Sequence, residues 1–368
     1  MREMFDHGGS VFALARSLGI PPEELLDFSA NINPLGPAPG VRDALFSSFS
    51  RLTHYPDREC YELRQALAGL HGVDMANIVA ANGSTELIYL LPRLLPGSKG
   101  LIVAPAFSEY ARALEREGWE TAYLVLSPGD GFALSLEKLA DRLAENRDLL
   151  FLCNPANPTG AILPLPMIEE IHRLCRDTGT FLVLDEAFMD FREEESAKGM
   201  LCERGGGIVL RSMTKFYAIP GLRLGYAMAS AEIIRRCSER LEPWSVNTAA
   251  QIAGVASLAD AGYRERTIRS ANAERDALAA GLAALPGLAP FPSAANYLLV
   301  ETHTGASATE LRSALLPKGI IIRDCSNYEG LDERFFRVAV RSRGENHRLL
   351  TALAEVLGEP GPLSQNGE

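Results

Sequence analysis

The sequence predicts an α/β protein in which a large domain with a mainly parallel sheet is followed by a smaller α+β domain. Short apolar runs rich in β-forming residues alternate with longer segments of helical character such as Pro166–Thr178, as in parallel sheets flanked by helices. After about Trp244 the pattern changes to long helices followed by strand-like runs. A chain of 368 residues corresponds to about two average domains, which agrees with this division.

Each predicted strand is a short apolar run. The strands predicted for the large domain are Ile78–Ala81, Leu101–Ala104, Leu149–Cys153, Phe181–Leu184 and Ile208–Leu210, and those for the second domain are Tyr297–Val300, Gly319–Arg323 and Phe335–Val340. Leu278, Leu282 and Leu285 share one face of a predicted helix, which indicates core packing. We expect an N-terminal arm at 1–40, the large domain at 41–245, the small domain at 246–358 and a disordered, Pro- and Gly-rich tail at 359–368.

Composition and charge argue against several classes of protein. With 47% hydrophobic residues the chain is globular, and its net charge of -11 disfavours non-specific binding to nucleic acid or acidic membranes. No apolar stretch approaches the length of a membrane span, and the segment Val11–Ile20 is too short for a signal peptide. We therefore expect a cytoplasmic protein.

Metal and disulfide sites are not expected. The six cysteines are scattered without paired spacing, and the six histidines show no ligand spacing. The acidic run Glu193–Glu195 is interpreted as a solvated loop.

Lys215 is the first candidate for chemistry, because it follows the predicted strand Ile208–Leu210. A lysine at the end of a buried strand loses hydration, which favours its neutral amine, and a neutral amine can condense with an aldehyde. Arg223 adds a planar cation and Ser212 a hydroxyl, both suited to a phosphate. These groups together predict pyridoxal 5'-phosphate (PLP) as the cofactor. Taken alone, the lysine would be interpreted as a solvated loop residue.

A phosphate site is also predicted where Gly83, Ser84 and Thr85 follow the first strand of the large domain and precede a helical stretch. Backbone N–H groups at a helix N-terminus can bind a phosphate. The alternative is that the serine or threonine only caps the helix.

Two further polar side chains follow predicted strands. Asn157 lies in Asn-Pro-Ala-Asn-Pro-Thr-Gly, where two Asn-Pro pairs impose a rigid turn, and its amide can donate to a ring hydroxyl oxygen. Asp185 ends an apolar strand, and a buried aspartate needs a cation, which the protonated pyridine nitrogen of PLP supplies. The alternatives are a plain turn and an aspartate that caps a loop.

These residues resemble the fold-type I PLP enzymes of the class I/II aminotransferase group, and the resemblance runs through nearly the whole chain. It implies the PLP-dependent transferase fold. Lys215 then corresponds to the lysine that bonds the PLP aldehyde, Asp185 to the partner of the pyridine nitrogen and Asn157 to the donor to the ring oxygen. Phe107, in Ala-Pro-Ala-Phe-Ser-Glu-Tyr, corresponds to the aromatic residue that stacks on the ring.

The same resemblance implies a set of residues around the cofactor phosphate, namely Gly83, Ser84, Thr85, Ser212 and Arg223. It also implies that Tyr55 reaches the phosphate from the neighbouring subunit of a homodimer with a shared active site. One departure is Phe188, which stands where transaminating relatives commonly have a tyrosine. The missing phenol removes a hydrogen bond to the ring oxygen, so we expect the electronics of the ring to suit a different reaction in this chain.

Within the family, the N-terminal motifs resemble those of members that release CO2 from L-threonine O-3-phosphate in cobalamin biosynthesis. The motifs are His7-Gly8-Gly9-Ser10 and Asp27-Phe28-Ser29-Ala30-Asn31-Ile32-Asn33-Pro34-Leu35-Gly36, supported by Leu210–Tyr226 and Glu242–Asn247. The implied contacts to a phosphorylated amino acid substrate are His7, Gly8, Asn31, Asn157, Arg323 and Arg337.

The two arginines also suggest anion binding by themselves. Arg323 follows the apolar residues Gly319–Ile322, and Arg337 lies within Phe-Phe-Arg-Val-Ala-Val, so both occupy strand positions with hydrophobic neighbours. A carboxylate and a phosphate on one substrate would each suit a planar guanidinium. The alternative is that one or both pair with structural carboxylates.

Two alternative functions stay open. The first is transamination of histidinol phosphate with 2-oxoglutarate, which would use the same cofactor and most of the same residues. The second is a non-catalytic PLP-fold binding protein, which the intact Lys215 and Asp185 disfavour. A dinucleotide-binding domain is disfavoured because Gly205-Gly206-Gly207 precedes a strand and does not open a helix.

Overall fold

The computed structural model describes residues 8–358, so His7 and the tail at 359–368 lie outside the described residues. The chain forms two compact units. Within the described residues, the larger unit contains 35–157 and 161–267, and the smaller contains 8–34, 158–160 and 268–358. The domain boundaries expected from the sequence stay a prediction.

The strands and helices are numbered in chain order. The strands are β1 (Leu26–Asp27), β2 (Ile78–Ala81), β3 (Lys99–Ala104), β4 (Glu120–Val125), β5 (Leu149–Cys153), β6 (Phe181–Asp185), β7 (Gly207–Ser212), β8 (Gly225–Ala229), β9 (Leu288–Pro290), β10 (Tyr297–Thr302), β11 (Ile320–Ile321), β12 (Arg323–Asp324) and β13 (Phe335–Ala339). The α-helices are α1 (Val11–Leu18), α2 (Pro39–Ser47), α3 (Tyr61–His71), α4 (Ser84–Leu94), α5 (Glu109–Arg116), α6 (Leu136–Leu143), α7 (Leu165–Thr178), α8 (Lys198–Arg204), α9 (Met213–Phe216), α10 (Ala231–Arg240), α11 (Thr248–Leu258), α12 (Ala261–Ala283), α13 (Ala308–Leu315) and α14 (Arg343–Leu357).

The larger unit is built on a seven-stranded sheet in the order β2-β8-β7-β6-β5-β3-β4. Strand β8 is antiparallel to both of its neighbours, and the other pairs are parallel. Strands β2, β5, β7 and β8 are buried along their whole length, as expected when helices cover both faces of a sheet. The prediction of a mainly parallel α/β sheet is confirmed.

The smaller unit contains a four-stranded antiparallel sheet in the order β12-β13-β10-β9 and a parallel pair formed by β1 and β11. The predicted strand Gly319–Arg323 is divided into β11 and β12, which belong to different sheets. Leu278, Leu282 and Leu285 are buried in the core of this unit, so the prediction that they pack in a core is confirmed. Leu285 lies just beyond the end of α12.

A buried cluster of ionised side chains lies within the larger unit, with Arg211 at its centre. Arg211 has no exposed surface and donates from Nε to Glu186 Oε2 at 3.0 Å. Its Nη atoms donate to both carboxylate oxygens of Glu193 at 2.8 and 3.0 Å, and Asp190 Oδ2 lies 3.7 Å from Nη1. The expectation of a solvated loop at Glu193–Glu195 is therefore wrong for Glu193, because its carboxylate neutralises a buried guanidinium.

Replacing Arg211 with methionine is expected to lower the free energy of unfolding by about 3–5 kcal/mol, because it leaves buried carboxylates without their cation. Urea unfolding of the purified protein measures this change. Arg235→Met is the control, since Arg235 forms an exposed ion pair with Glu239, and such pairs contribute about 1 kcal/mol or less. Equal effects of the two substitutions would contradict the stabilising role of the cluster.

His71 extends the cluster and makes its stability depend on pH. Its Nδ1 lies 3.3 Å from Glu193 Oε1 and its Nε2 lies 2.8 Å from the Tyr226 hydroxyl. Burial lowers the pKa of His71 from 6.5 to about 4, so the ring is neutral at pH 7. A neutral ring donates from one nitrogen and accepts at the other, and we assign the donor to Nδ1, facing the carboxylate.

The unfolded chain protonates His71 at a higher pH than the folded chain does, so His71 should make the protein less stable as the pH falls from 6.5 towards 4. At pH 5 the loss should reach about 2 kcal/mol. Urea unfolding of the wild type and His71→Gln at pH 7 and pH 5 tests this. The wild type should exceed His71→Gln in free energy of unfolding by less at pH 5 than at pH 7. An equal difference at the two pH values would contradict the assignment.

No helix within residues 8–358 is both long and apolar enough to cross a membrane. In the same part of the chain, no three His, Cys, Asp or Glu side chains are grouped so that they could hold a metal ion. All six cysteines are free, and five of them are buried.

Candidate active site

Three of the predicted site residues follow neighbouring parallel strands. Strand β6 lies between β5 and β7, with Cys153 of β5 opposite Asp185 and Asp185 opposite Leu210 of β7. Asn157 follows β5 and Lys215 follows β7. The carboxyl ends of these strands therefore bring Asn157, Asp185 and Lys215 to one edge of the sheet, where doubly wound folds bind ligands.

Asp185 is held by two hydrogen bonds at the end of β6. Its Oδ2 accepts from the Tyr110 hydroxyl at 2.6 Å, and its Oδ1 accepts from the backbone N–H of Ala187 at 3.0 Å. Burial raises the pKa of Asp185, while the hydrogen bond from Tyr110 and the charge of Lys215 oppose this change. A cation bound beside the carboxylate would favour its ionised form further.

Lys215 lies in the short helix α9, directly after β7. Its Nζ donates to Ser212 Oγ at 3.0 Å and lies 5.6 Å from the centre of the Phe188 ring. Ser212 is buried and also shares a hydrogen bond with Thr214 at 2.8 Å. The amine is thus directed by a fixed hydroxyl, in a position where an aldehyde held at the sheet edge could reach it.

The N-terminus of α4 lies against the ends of β7 and β8. Gly225 pairs with both Ala81 of β2 and Ser212 of β7. A Cβ atom on Gly225 would lie 2.2 Å from the backbone nitrogen of Ser84, so only glycine permits this close approach. The N-cap of α4 is Gly83, and among the described residues no side chain caps this helix. Its first amides, including that of Thr85, can therefore bind an anion.

Arg223 supplies a cation at the same helix terminus. A Cβ atom on Gly83 would lie 2.9 Å from Arg223 Nη2, which places the guanidinium directly over the start of α4. Gly83 has a φ of 76°, which a residue with a side chain adopts only with strain. Amides and a guanidinium thus lie together at the start of α4, with Ser212 on the strand paired to Gly225, and these groups fit the phosphate of PLP.

Aromatic side chains line the β3 side of the site. Phe107 follows β3, and its ring meets the Tyr110 ring edge-on at 5.9 Å. Tyr110 stacks on Phe151 of β5 at 4.8 Å. Tyr110 was not predicted as a site residue, and its only signal in the sequence is its position three residues after Phe107.

In the smaller unit, Arg323 and Arg337 occupy directly paired positions of β12 and β13. Both are 5% exposed, and paired residues leave the same face of a sheet. Arg337 Nη2 donates to the carbonyl of Ser29 at 2.8 Å, and Arg323 Nη2 donates to Asn327 Oδ1 at 2.8 Å. Two guanidinium groups at opposite positions repel each other, so an anion bound at this face would be favoured.

Asn31 is two residues after Ser29, whose carbonyl accepts the hydrogen bond from Arg337. The carbonyl of Asn31 accepts from Asn296 Nδ2 at 3.0 Å. Within residues 8–358, the buried side-chain oxygens of Asn31 and Asn296 have no hydrogen-bond partner, so each can accept from a ligand. A Cβ atom on Gly8 would lie 2.0 Å from the carbonyl oxygen of Ser29, so only glycine at position 8 permits this close approach to Ser29.

Tyr55 is 79% exposed, and its ring stacks on Trp244 at 4.8 Å. Within one chain it therefore belongs to the surface of the larger unit. Its predicted role across a dimer stays a prediction.

Comparison with known proteins places this arrangement in a family. The sequence pattern of the family described as aminotransferase class I and II matches residues 23–353. The threonine-phosphate decarboxylase of Salmonella typhimurium is 42% identical over 353 residues, which cover 95% of this chain and 96% of that protein. The histidinol-phosphate aminotransferase of Methanothermobacter thermautotrophicus is 31% identical over 359 residues, which cover 96% of this chain and 95% of that protein.

A solved structure agrees with these matches. The histidinol-phosphate aminotransferase of Sinorhizobium meliloti in complex with pyridoxal-5'-phosphate aligns with a TM-score of 0.84 and 26% identity, covering 94% of each chain. Together with the sheet order and the strand-end residues, these matches give the fold-type I architecture expected from the sequence. The chain belongs to the aminotransferase class I and II family.

Proposed function

We propose that this protein is a PLP-dependent decarboxylase that converts L-threonine O-3-phosphate to (R)-1-amino-2-propanol O-2-phosphate and CO2 in cobalamin biosynthesis. The single observation that carries the choice of reaction is the 42% identity to a threonine-phosphate decarboxylase along nearly the whole chain. The geometry supports the cofactor, since the lysine, the buried aspartate and the phosphate-binding helix terminus lie at one sheet edge.

Each group of this sheet edge has a role in the proposal. Lys215 would bond the PLP aldehyde, Asp185 would pair with the pyridine nitrogen, Asn157 would donate to the ring oxygen and Phe107 would stack on the ring. The amides of Gly83, Ser84 and Thr85, together with Ser212 and Arg223, hold the phosphate. When bound, PLP supplies an electron sink for the bond that breaks at Cα of the substrate.

The paired arginines bind the substrate anions in this proposal, and Gly8, Asn31 and Asn157 complete the contacts, with His7 outside the described residues. The anion anchors would select the reaction by fixing the orientation of the substrate, so that its carboxylate is the group placed to leave as CO2. The amine of Lys215 would return a proton to Cα, and the Ser212 hydroxyl would keep that amine in place.

The proposal is tested by two assays on the same purified protein loaded with PLP. L-threonine O-3-phosphate should yield CO2, while histidinol phosphate with 2-oxoglutarate should yield little glutamate. Glutamate without CO2 would reject the decarboxylase and establish the transaminase. A protein that stays colourless after addition of PLP would reject both and leave a non-catalytic binding protein.

A homodimer with a shared active site is part of the proposal. Large apolar side chains are exposed close together in the sequence of the larger unit, with Phe46 74%, Phe49 69% and Tyr55 79% exposed. Exposed apolar groups of this size favour burial against a second copy. Sedimentation equilibrium should give twice the mass of the chain, and a monomer at micromolar concentration would contradict this part.

A cytoplasmic location is also proposed, since all six cysteines are free.

A further inference from the structure

We propose that Tyr110 is a positioning residue that orients Asp185 and keeps it ionised opposite the ring nitrogen of the cofactor. The inference rests on the PLP site of the proposed function. Its main observation is the hydrogen bond from the Tyr110 hydroxyl to Asp185 Oδ2 at 2.6 Å. Because Ala187 donates to the other oxygen at 3.0 Å, both carboxylate oxygens are anchored and the plane of the carboxylate is fixed.

The direction of this hydrogen bond follows from the chemistry of the two groups. Burial raises the pKa of Tyr110 well above 10, so the phenol remains protonated and can donate. An ionised carboxylate can only accept. A hydrogen bond of this kind stabilises the ionised form of Asp185, whereas burial alone favours the neutral form. The other titratable groups that act on Asp185 are Lys215 and the buried thiol of Cys153.

The position of the hydroxyl is set by packing. The Tyr110 ring is stacked on the Phe151 ring with an interplanar angle of 5°, and it meets the Phe107 ring at 85°. Strand β5, which carries Phe151, is hydrogen-bonded to β6, which carries Asp185. The phenol therefore reaches Asp185 from a rigid support, and Tyr110→Phe removes the hydroxyl while it keeps the ring in place.

The first test compares the holoenzyme of Tyr110→Phe with the wild type. PLP should dissociate with a constant about tenfold higher, the size expected for losing a hydrogen bond to a charged group. The midpoint pH of the visible absorption change of bound PLP should rise, because a less positive ring makes the nitrogen joined to Lys215 easier to protonate. The control is Tyr89→Phe, which also removes a hydrogen bond to a carboxylate, that of Glu109 at 2.6 Å, and should change neither quantity.

The second test repeats Tyr110→Phe in the Asp185→Asn background. If the hydroxyl acts through the carboxylate, the two effects on PLP affinity should not multiply. If the effects of the two substitutions on PLP affinity multiply, Tyr110 acts independently of Asp185 and the inference is overturned. It is also overturned if Tyr110→Phe changes neither the PLP affinity nor the midpoint pH of the absorption change. Neither readout requires a substrate, so they separate this inference from the choice of reaction, whereas a wild type that binds no PLP would overturn the proposed function as well.

Discussion

Replacing Lys215 with alanine is expected to lower the rate of CO2 release from L-threonine O-3-phosphate by at least about 10⁴-fold. In our proposal this side chain has two roles, since it bonds the cofactor aldehyde and later returns the proton to Cα. Its amine is held by Ser212 at 3.0 Å, and Ser212 offers a hydroxyl that cannot replace it in either role. Initial rates with excess PLP measure the loss.

The matched control is Lys138→Ala. Lys138 is an exposed lysine of α6, which is distant from Lys215 in the sequence. The substitution removes the same charge and should leave the rate unchanged. A rate for Lys215→Ala within tenfold of the wild type would show that another group carries out the chemistry.

Replacing Arg337 with methionine is expected to raise KM for L-threonine O-3-phosphate by about 100-fold or more. Arg337 is 5% exposed and lies opposite Arg323, so an anion bound there is largely shielded from water. Arg337→Lys should recover only part of the affinity, because an ammonium group lacks the planar fork that binds a carboxylate or phosphate with two hydrogen bonds. Steady-state kinetics give KM and kcat separately.

Arg343→Met is the control for this prediction, since Arg343 is an exposed arginine at the start of α14 and the change in net charge is the same. Its KM should stay within about twofold of the wild type. If both variants raise KM equally, the effect comes from the overall charge of the protein and not from a bound anion.

Much of the larger unit could be predicted because its strands are apolar runs that end at polar residues. All five strands predicted for it are present, but β4 and β8 were missed. Strand β4 is at the edge of the sheet and buries only Leu124, although its last four residues, Ala-Tyr-Leu-Val, are apolar. Strand β8 consists of Gly, Tyr, Ala and Met, which include few β-forming residues, and its first two residues belong to the segment Leu210–Tyr226, which was interpreted only as part of the site.

The parts of the site that escaped prediction depend on contacts between distant positions. Tyr110 and Asp185 are 75 positions apart, and only the adjacency of β3, β5 and β6 brings them together. Glu193 was interpreted as solvated because an acidic run resembles a surface loop, and its partner Arg211 lies within a buried strand. Spacing along the chain carries no information about such pairs, whereas it does indicate the residues that directly follow each strand.

Whether Lys215 bonds the cofactor is tested most directly by reducing the PLP-loaded protein with borohydride, digesting it and identifying the modified peptide by mass spectrometry. The reduced cofactor should be attached to Lys215, within the segment that links β7 and β8. Attachment at another lysine, or no attachment in a protein that binds PLP, would contradict this prediction.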